Sequence, residues 1–245
     1  MQSYLNSPDE NCFVFSINSD FTAMDNSVMR NPVLVTMNPN YFCYFYCVKY
    51  SEFHSITVRG EQHTFMSPRL IFLKSYYPFH DKHFLFLKQF LENIRNQRLE
   101  IYEKEMQGPN RNQISLEIFD SQVALQLFTT DCQNFIQEIQ RVTVPKCFES
   151  FCALDLKEIC IKYETPEMDL ASIAENCLGI ADILNLLSYE DFIFILFSMM
   201  KEKSIIFVSQ QLNILTSVIM TFVSMLKPFR WPFPCIYSLP ENCLQ

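Results

Sequence analysis

Apolar residues in the first half of the chain follow two different periods. Four short runs are of the strand type, rich in β-branched and aromatic residues. They are Cys12 to Ile17, Pro32 to Met37, Tyr41 to Tyr50 and Arg69 to Tyr76. From His83 to Met106 the apolar positions instead recur every three or four residues, which predicts an amphipathic helix. The predicted inner face of this helix carries Phe84, Leu87, Phe90, Leu91 and Ile94.

A further strand and helix are predicted beyond the break at Gly108-Pro109. The strand falls near Ile114 to Phe119, and Asp120 can cap the helix that follows. This second helix has an apolar stripe suited to packing against a sheet, formed by Phe128, Cys132, Phe135, Ile136 and Ile139. Antiparallel strands with a pair of helices packed on them form an α+β lobe, which we expect over residues 1–142.

A linker is predicted over residues 143–150, because Val144-Pro145 cannot continue a helix and the segment has no periodic pattern. The second lobe is expected over residues 151–245 and begins with a predicted strand from Cys152 to Tyr163. A helix is predicted near Asp169 to Cys177, followed by a short segment around Ile180 to Leu187, and Ser188 then begins the helix that contains Phe192 to Met200.

The helix around Phe192 to Met200 has two distinctive features. Ser188 and Asp191 have the spacing of a capping box, although Glu or Gln is usual at the second position. The residues that follow are apolar on every face, which is typical of a helix inside the protein. We therefore expect this helix to lie between other layers of the structure.

The last forty-five residues read as strand, helix and strand. The predicted elements are Ser204 to Ser209, Leu212 to Leu226 and Cys235 to Leu239. About two dozen residues separate the strands, which is enough for a crossover that returns parallel to the first strand. This pattern predicts an α/β lobe with a partial parallel sheet and crossover helices.

Composition and charge exclude several classes of protein. Hydrophobic residues make up 49% of the chain, which excludes intrinsic disorder. The formal net charge of -8 argues against a nucleic-acid partner, which requires clustered basic residues. The one group of basic residues is interleaved with acids and is interpreted as a solvated helix face rather than a binding stripe; it consists of Arg95, Arg98, Lys104 and Arg111.

The sequence also predicts a cytoplasmic protein without a transmembrane segment. The N-terminus lacks the basic start and apolar run of a signal peptide. The longest apolar stretches, Phe192 to Met200 and Ile214 to Leu226, are shorter than the roughly 20 residues that span a bilayer. The ten cysteines are expected to be mostly reduced and buried, since the chain is neither small nor recognisably secreted.

No metal, cofactor or covalent catalytic site is predicted. Cys43 and Cys47 fall in a strand, where positions four apart are roughly 13 Å from each other. His80 and His83 have ligand-like spacing but no second pair of ligands. None of the three glycines lies between a strand and its helix, so no phosphate-binding loop is recognisable, and no Ser lies in a Gly-x-Ser-x-Gly elbow.

Several short motifs occur in the order in which the DENN domain family has them, and together they make the chain resemble that family. The upstream ones are Ser75-Tyr-Tyr-Pro-Phe79, Phe84-Leu-Phe-Leu87, Phe135-Ile136 and Val144-Pro145. The central ones are Ile183 to Ser188, Ser204 to Ser209, Leu212 to Thr216, Pro228-x-x-Trp231 and Leu239-Pro240. Each motif alone is weak, and the combination is specific.

The resemblance implies a longin-like N-terminal lobe, an α/β C-terminal lobe and a Rab-type small GTPase as partner. Many family members are guanine-nucleotide exchange factors in vesicle trafficking, so exchange is the first functional hypothesis. A non-exchanging adaptor or scaffold that binds a trafficking GTPase or another partner is the alternative. Peripheral association with endomembranes would then occur through partners.

The chain departs from the family pattern in three places. The family's "L-x-E-x-R" passage reads Met199-Met200-Lys201-Glu202-Lys203 here, which keeps Glu202 and replaces the arginine. The family's "P-V-L-P" appears as Tyr237-Ser238-Leu239-Pro240. The chain also ends at Gln245, soon after Leu239-Pro240, so the central lobe is expected to be C-terminally incomplete, either as a fragment or as a module that does less than exchange.

The motif residues themselves are not assigned to a binding site. Pro228, Phe229 and Trp231 are interpreted as a packed corner after a helix, with partner contact as the alternative, and the same holds for Pro78 and Phe79. Partner-binding residues remain unknown at this stage.

Overall fold

A three-stranded antiparallel sheet organises the N-terminal part of the computed structural model. The residues that the structure describes are 11–18, 42–59, 61–106, 133, 137, 150–156, 159–164, 178–227, 229 and 231–237. The sheet has the order β1 (Cys12–Asn18), β2 (Phe42–Val58) and β3 (Glu61–Ser75). In its register, Tyr46 of the central strand lies opposite Val14 on one side and Leu73 on the other. Three of the four predicted strands are thus confirmed, and the one at Pro32 to Met37 lies outside the described residues.

The β2–β3 hairpin is longer than its apolar pattern predicted. Its strands pair as far as Val58 and Glu61, and the two-residue connection between them places Arg59 at a φ of 54°. Positive φ is what a tight two-residue hairpin turn requires. The sequence pattern missed this extension because polar residues and Pro68 interrupt it. Proline is tolerated there because β3 is an edge strand of the described sheet.

The amphipathic helix α1 (His80–Met106) follows the sheet and begins three residues before its predicted start. Its predicted inner face is confirmed: Phe84, Leu87, Phe90 and Ile94 are buried, and Leu91 packs against them. The helix lies against β2, whose Tyr44 and Tyr46 face the same core. Sheet and helix therefore bury one shared layer of aromatic and aliphatic side chains.

The next described element is a hairpin rather than the single strand predicted from Cys152 to Tyr163. Strand β4 (Ser150–Leu156) pairs antiparallel with β5 (Ile159–Glu164), with an irregularity between Ala153 and Asp155. The prediction was wrong because the apolar run continues on both sides of the Lys157-Glu158 dipeptide at which the chain reverses. The predicted elements at Ile114 to Phe119, after Asp120 and at Asp169 to Cys177 lie outside the described residues.

Three helices form most of the remaining described part: α2 (178–186), α3 (Tyr189–Met200) and α4 (Leu212–Met225). The predicted cap of α3 is confirmed, because the Ser188 hydroxyl accepts a hydrogen bond of 3.1 Å from the Asp191 backbone N–H. The same hydroxyl donates to the Asp191 carboxylate at 2.8 Å, an arrangement that the shorter aspartate allows. Among the residues described, no helix has the combination of length and apolarity needed to cross a bilayer.

The two predicted strands that flank α4 are not assigned as strands in the described residues 203–211 and 231–237. The side chains still alternate as they would in a strand: Ile205 and Phe207 pack against the core, whereas Ile206 and Val208 are exposed. Neither segment has a sheet partner in the described part of the chain. The fold is accordingly mixed α/β, and the parallel pair is not confirmed.

One core cluster contains residues from both parts of the chain. Helix α4 packs against β1, and Phe222 of α4 is fully buried. The Ser16 hydroxyl of β1 and the Tyr237 hydroxyl share a hydrogen bond of 2.5 Å. The first strand and the C-terminal described segment are therefore held together by both apolar and polar contacts.

Gly179 is required where α2 crosses α4. A Cβ atom there would lie 2.5 Å from the Ser217 carbonyl oxygen and 2.7 Å from the Thr221 Oγ1, whose hydroxyl accepts the Gly179 N–H at 3.0 Å. We expect Gly179→Ala to lower the free energy of unfolding by about 1–3 kcal/mol, because this overlap outweighs the roughly 1 kcal/mol that alanine gains in a helix. Urea denaturation followed by circular dichroism measures the change.

The matched control for this prediction is Asn185→Ala, an exposed position of the same helix. It changes helix propensity without a steric conflict and should leave stability within about 0.5 kcal/mol of the wild type. Equal stability of the Gly179→Ala variant and the wild type would contradict the close approach of the two helices.

Candidate binding surface

Helix α3 exposes a row of large apolar side chains. Tyr189, Phe194, Phe197 and Met200 are 75%, 69%, 56% and 57% exposed. At 100° per residue these four positions share one face of the helix. We call them the α3 surface. The prediction that this helix lies between layers was wrong, because only Ser198 and Met199 among its residues are buried.

The opposite face of α3 fixes the helix to the core. The Phe192 ring lies 5.7 Å from that of Phe222 in α4, and Ile195, Leu196 and Met199 belong to the same apolar cluster. The helix is therefore held by one face while the α3 surface remains accessible in the described structure. Exposed apolar side chains that are grouped on one rigid element are typical of a site for a macromolecular partner.

The C-terminus of α3 ends in a Schellman motif. The Lys203 N–H donates to the Ser198 carbonyl at 3.0 Å, and the Glu202 N–H donates to the Met199 carbonyl at 2.8 Å. Glu202 has a φ of 56°, the left-handed conformation that this motif requires and that glycine usually supplies. The motif turns the chain sharply, and the segment after it contacts α4: the ring of Phe207 lies 5.7 Å from that of Phe222.

Charges of opposite sign lie at the two ends of the α3 surface. Glu190 and Asp191 occupy the first turn, where a carboxylate interacts favourably with the positive end of the helix dipole. Lys201 and Lys203 lie at the other end, and all four side chains are exposed. A partner surface would thus meet an apolar centre with an acidic and a basic flank.

The residues of the predicted corner after α4 divide between core and surface. Trp231 packs against the core cluster and lies 5.4 Å from the Phe233 ring, whereas Phe229 is exposed. Pro78 is fully buried and Phe79 packs against the core. The packing predicted for Trp231, Pro78 and Phe79 is therefore confirmed. The packing predicted for Phe229 is wrong, because its ring is exposed, and Pro228 lies outside the described residues.

Burial shifts the pKa of two cysteines and two histidines in the core. Burial raises the pKa of the Cys47 thiol to about 12 and also raises that of Cys43, so both stay protonated at neutral pH. Burial lowers the pKa of His80 and His83 to about 3, and both rings are neutral. The described residues contain no cluster of three or more metal-ligating side chains.

Comparison with protein families identifies the chain. The model of the DENN (AEX-3) domain matches residues 67–245, about three quarters of the sequence. The chain belongs to the DENN domain family. The match begins inside β3 and includes α1 and every element after it, so the α3 surface and α4 both lie in the DENN region. Neither a curated protein nor a solved structure matches the chain.

The sequence signal for the α3 surface was present, because a helix that is apolar on all sides has more apolar residues than one contact face can bury. The apolar pattern of α3 predicted complete burial, because periodicity alone cannot distinguish a buried helix from one that presents an apolar face to a partner.

Proposed function

We propose that this DENN-family chain is a guanine-nucleotide exchange factor for a Rab-type small GTPase. DENN-family membership carries the proposal, because the family in general acts on Rab proteins in vesicle trafficking. The α3 surface supports it as the place of contact, since exchange needs a shaped surface rather than a covalent catalytic site. The protein would work in the cytoplasm and reach endomembranes through its partners.

Exchange by a surface follows from thermodynamic linkage. A protein that binds the nucleotide-free GTPase more tightly than the GDP-bound form weakens nucleotide binding by the same factor. Release becomes faster only when the transition state for release is stabilised as well, and a thousandfold acceleration requires roughly 4 kcal/mol. Burial of one large apolar side chain contributes about 1.5–3 kcal/mol, so two or three contacts of the α3 surface would reach this magnitude if they formed only in the transition state for release.

The lobe arrangement implied by the family is part of the proposal. Residues 1–142 would form the longin-like lobe, 143–150 the linker and 151–245 the α/β lobe with a partial parallel sheet. The three-stranded sheet with α1 and the strand-like alternation around Ile206 support it. An experimental structure with no sheet pairing between residues 204–209 and 235–239 would contradict the parallel pair.

The test is release of fluorescent GDP from a panel of purified Rab proteins at increasing concentrations of the chain, with pull-downs of nucleotide-free Rabs alongside. We expect dose-dependent release from one or a few Rabs. The double variant Phe194→Ser, Phe197→Ser should reduce release at least tenfold, because it removes apolar contact area from the α3 surface.

The matched control is Phe72→Ser, which makes the same chemical change at an exposed position of β3, away from the α3 surface. It should retain full release. Binding without release would overturn exchange in favour of the adaptor. Neither binding nor release from a folded, monodisperse sample would contradict both functions, and equal loss in the control would contradict the assignment to α3.

A further inference from the structure

A small cavity lies where β1, β2, the start of α1, α4 and the segment ending at Tyr237 meet. The centre of a water-sized sphere can move within about 20 Å³ of this cavity. Five polar side chains line it, namely those of Ser16, Tyr44, His80, Ser224 and Tyr237. The remaining wall is apolar and consists of Phe42, Met220 and Val223.

His80 is the feature of this cavity that needs an explanation. The side chain is 5% exposed, and neither ring nitrogen has a hydrogen-bond partner among the described residues. Contacts with the rings of Tyr44 and Tyr46, at 5.7 Å and 5.6 Å, hold the imidazole in place without satisfying its nitrogens. A neutral imidazole has one N–H donor and one acceptor, and buried groups of this kind are nearly always hydrogen-bonded.

The other polar groups of the cavity are hydroxyls, whose oxygens each have two lone pairs. The Ser224 hydroxyl donates its proton to the Thr221 carbonyl at 2.9 Å. The hydroxyls of Ser16 and Tyr237 bond to each other, and each hydroxyl oxygen has two lone pairs. A molecule bound here would therefore find acceptors on two sides and the imidazole on a third.

We propose that this cavity binds one ordered water molecule, which bridges the His80 ring to the hydroxyl of Ser224 and to the Ser16–Tyr237 pair. One water molecule needs a cavity in which its centre has about 10–15 Å³ of space. Buried waters typically make about three hydrogen bonds. No charged side chain lines the cavity, so a neutral molecule fits and an ion does not. Through these hydrogen bonds the water would connect β1, α1, α4 and the segment that ends at Tyr237.

The direct test is a high-resolution crystal structure of the full chain. We expect a solvent peak at hydrogen-bond distance, below about 3.2 Å, from one His80 nitrogen and from at least one of the three hydroxyls. A cavity without density, or a His80 ring bonded to a protein group on both nitrogens, would overturn the proposal.

A double-mutant cycle tests the bridge in solution. His80→Leu and Ser224→Ala remove two proposed partners of the water, and we expect them to be coupled at least fivefold in the unfolding equilibrium constant. The control cycle pairs His83→Leu with Ser224→Ala. His83 bonds Ser75 at 3.2 Å and does not line the cavity, so this pair should be additive within about twofold.

Additivity in the His80 cycle would overturn the bridge. If the His80→Leu variant does not fold, the cycle is run with His80→Phe, which keeps a planar aromatic ring and removes both ring nitrogens. The crystal structure of the unchanged protein decides the matter independently of any variant.

Discussion

Replacing Phe222 with alanine should lower the free energy of unfolding by about 3–5 kcal/mol, the cost of truncating a buried phenylalanine. The Phe222 side chain has 0% exposure, and its ring lies 5.7 Å from those of Phe192 and Phe207. It therefore joins three elements: α4, the inner face of α3 and the segment after the Schellman motif. Chemical denaturation monitored by circular dichroism measures the loss.

The same substitution should also affect binding, because the α3 surface is fixed to the core through Phe192 and Phe222. We expect any GTPase binding to weaken at concentrations where the variant is still folded. The matched control is Phe229→Ala, the same truncation at an exposed ring, with a change within about 0.5 kcal/mol. A loss below about 1 kcal/mol for Phe222→Ala would be inconsistent with its central position in the core.

Acidification should destabilise the fold through its two buried histidines. Burial lowers the pKa of both His80 and His83 to about 3, and the neighbouring His80 adds to the shift at His83. In the unfolded chain a histidine titrates near pH 6.5. Between these values the unfolded state binds more protons than the folded state, so stability is greatest above pH 6.5 and falls as the pH is lowered towards 3.

The expected size follows from the same linkage. Lowering the pH from 7.5 to 5 should remove roughly 2 kcal/mol for each histidine and about 4 kcal/mol in total. Urea denaturation at half-unit pH intervals measures this slope. Burial also raises the pKa of the Asp81 carboxyl, and this shift acts in the opposite direction, because it lets the folded state bind a proton more readily than the unfolded state does.

Variants separate the buried histidines from other titrating groups. The double variant His80→Leu, His83→Leu should flatten the profile between pH 7.5 and 5, whatever its stability at neutral pH. A wild-type profile that is flat over this window would show that both rings are protonated in the fold or reach solvent.

Local patterns predicted the elements whose apolar residues face a single layer. The period of α1, the strand character of β1 and the Ser188 cap each depend on neighbours in the sequence, and the structure confirms them. The β4–β5 hairpin was missed because its turn carries no glycine, asparagine or proline to mark the reversal. The family resemblance was found from short motifs in order, and the match to residues 67–245 confirms it.

Sequence alone determined that this protein folds, that it mixes helices and strands, and that it belongs to the DENN family. Tertiary structure decided which apolar residues are covered. Phe192 and Phe194 have the same side chain two positions apart, yet one packs on Phe222 and the other is exposed. Tertiary structure also decided that His80 meets Ser16, Ser224 and Tyr237 around one cavity. The reason is physical: periodicity records how apolar a face is, whereas burial and hydrogen-bond satisfaction depend on elements that are distant in the chain.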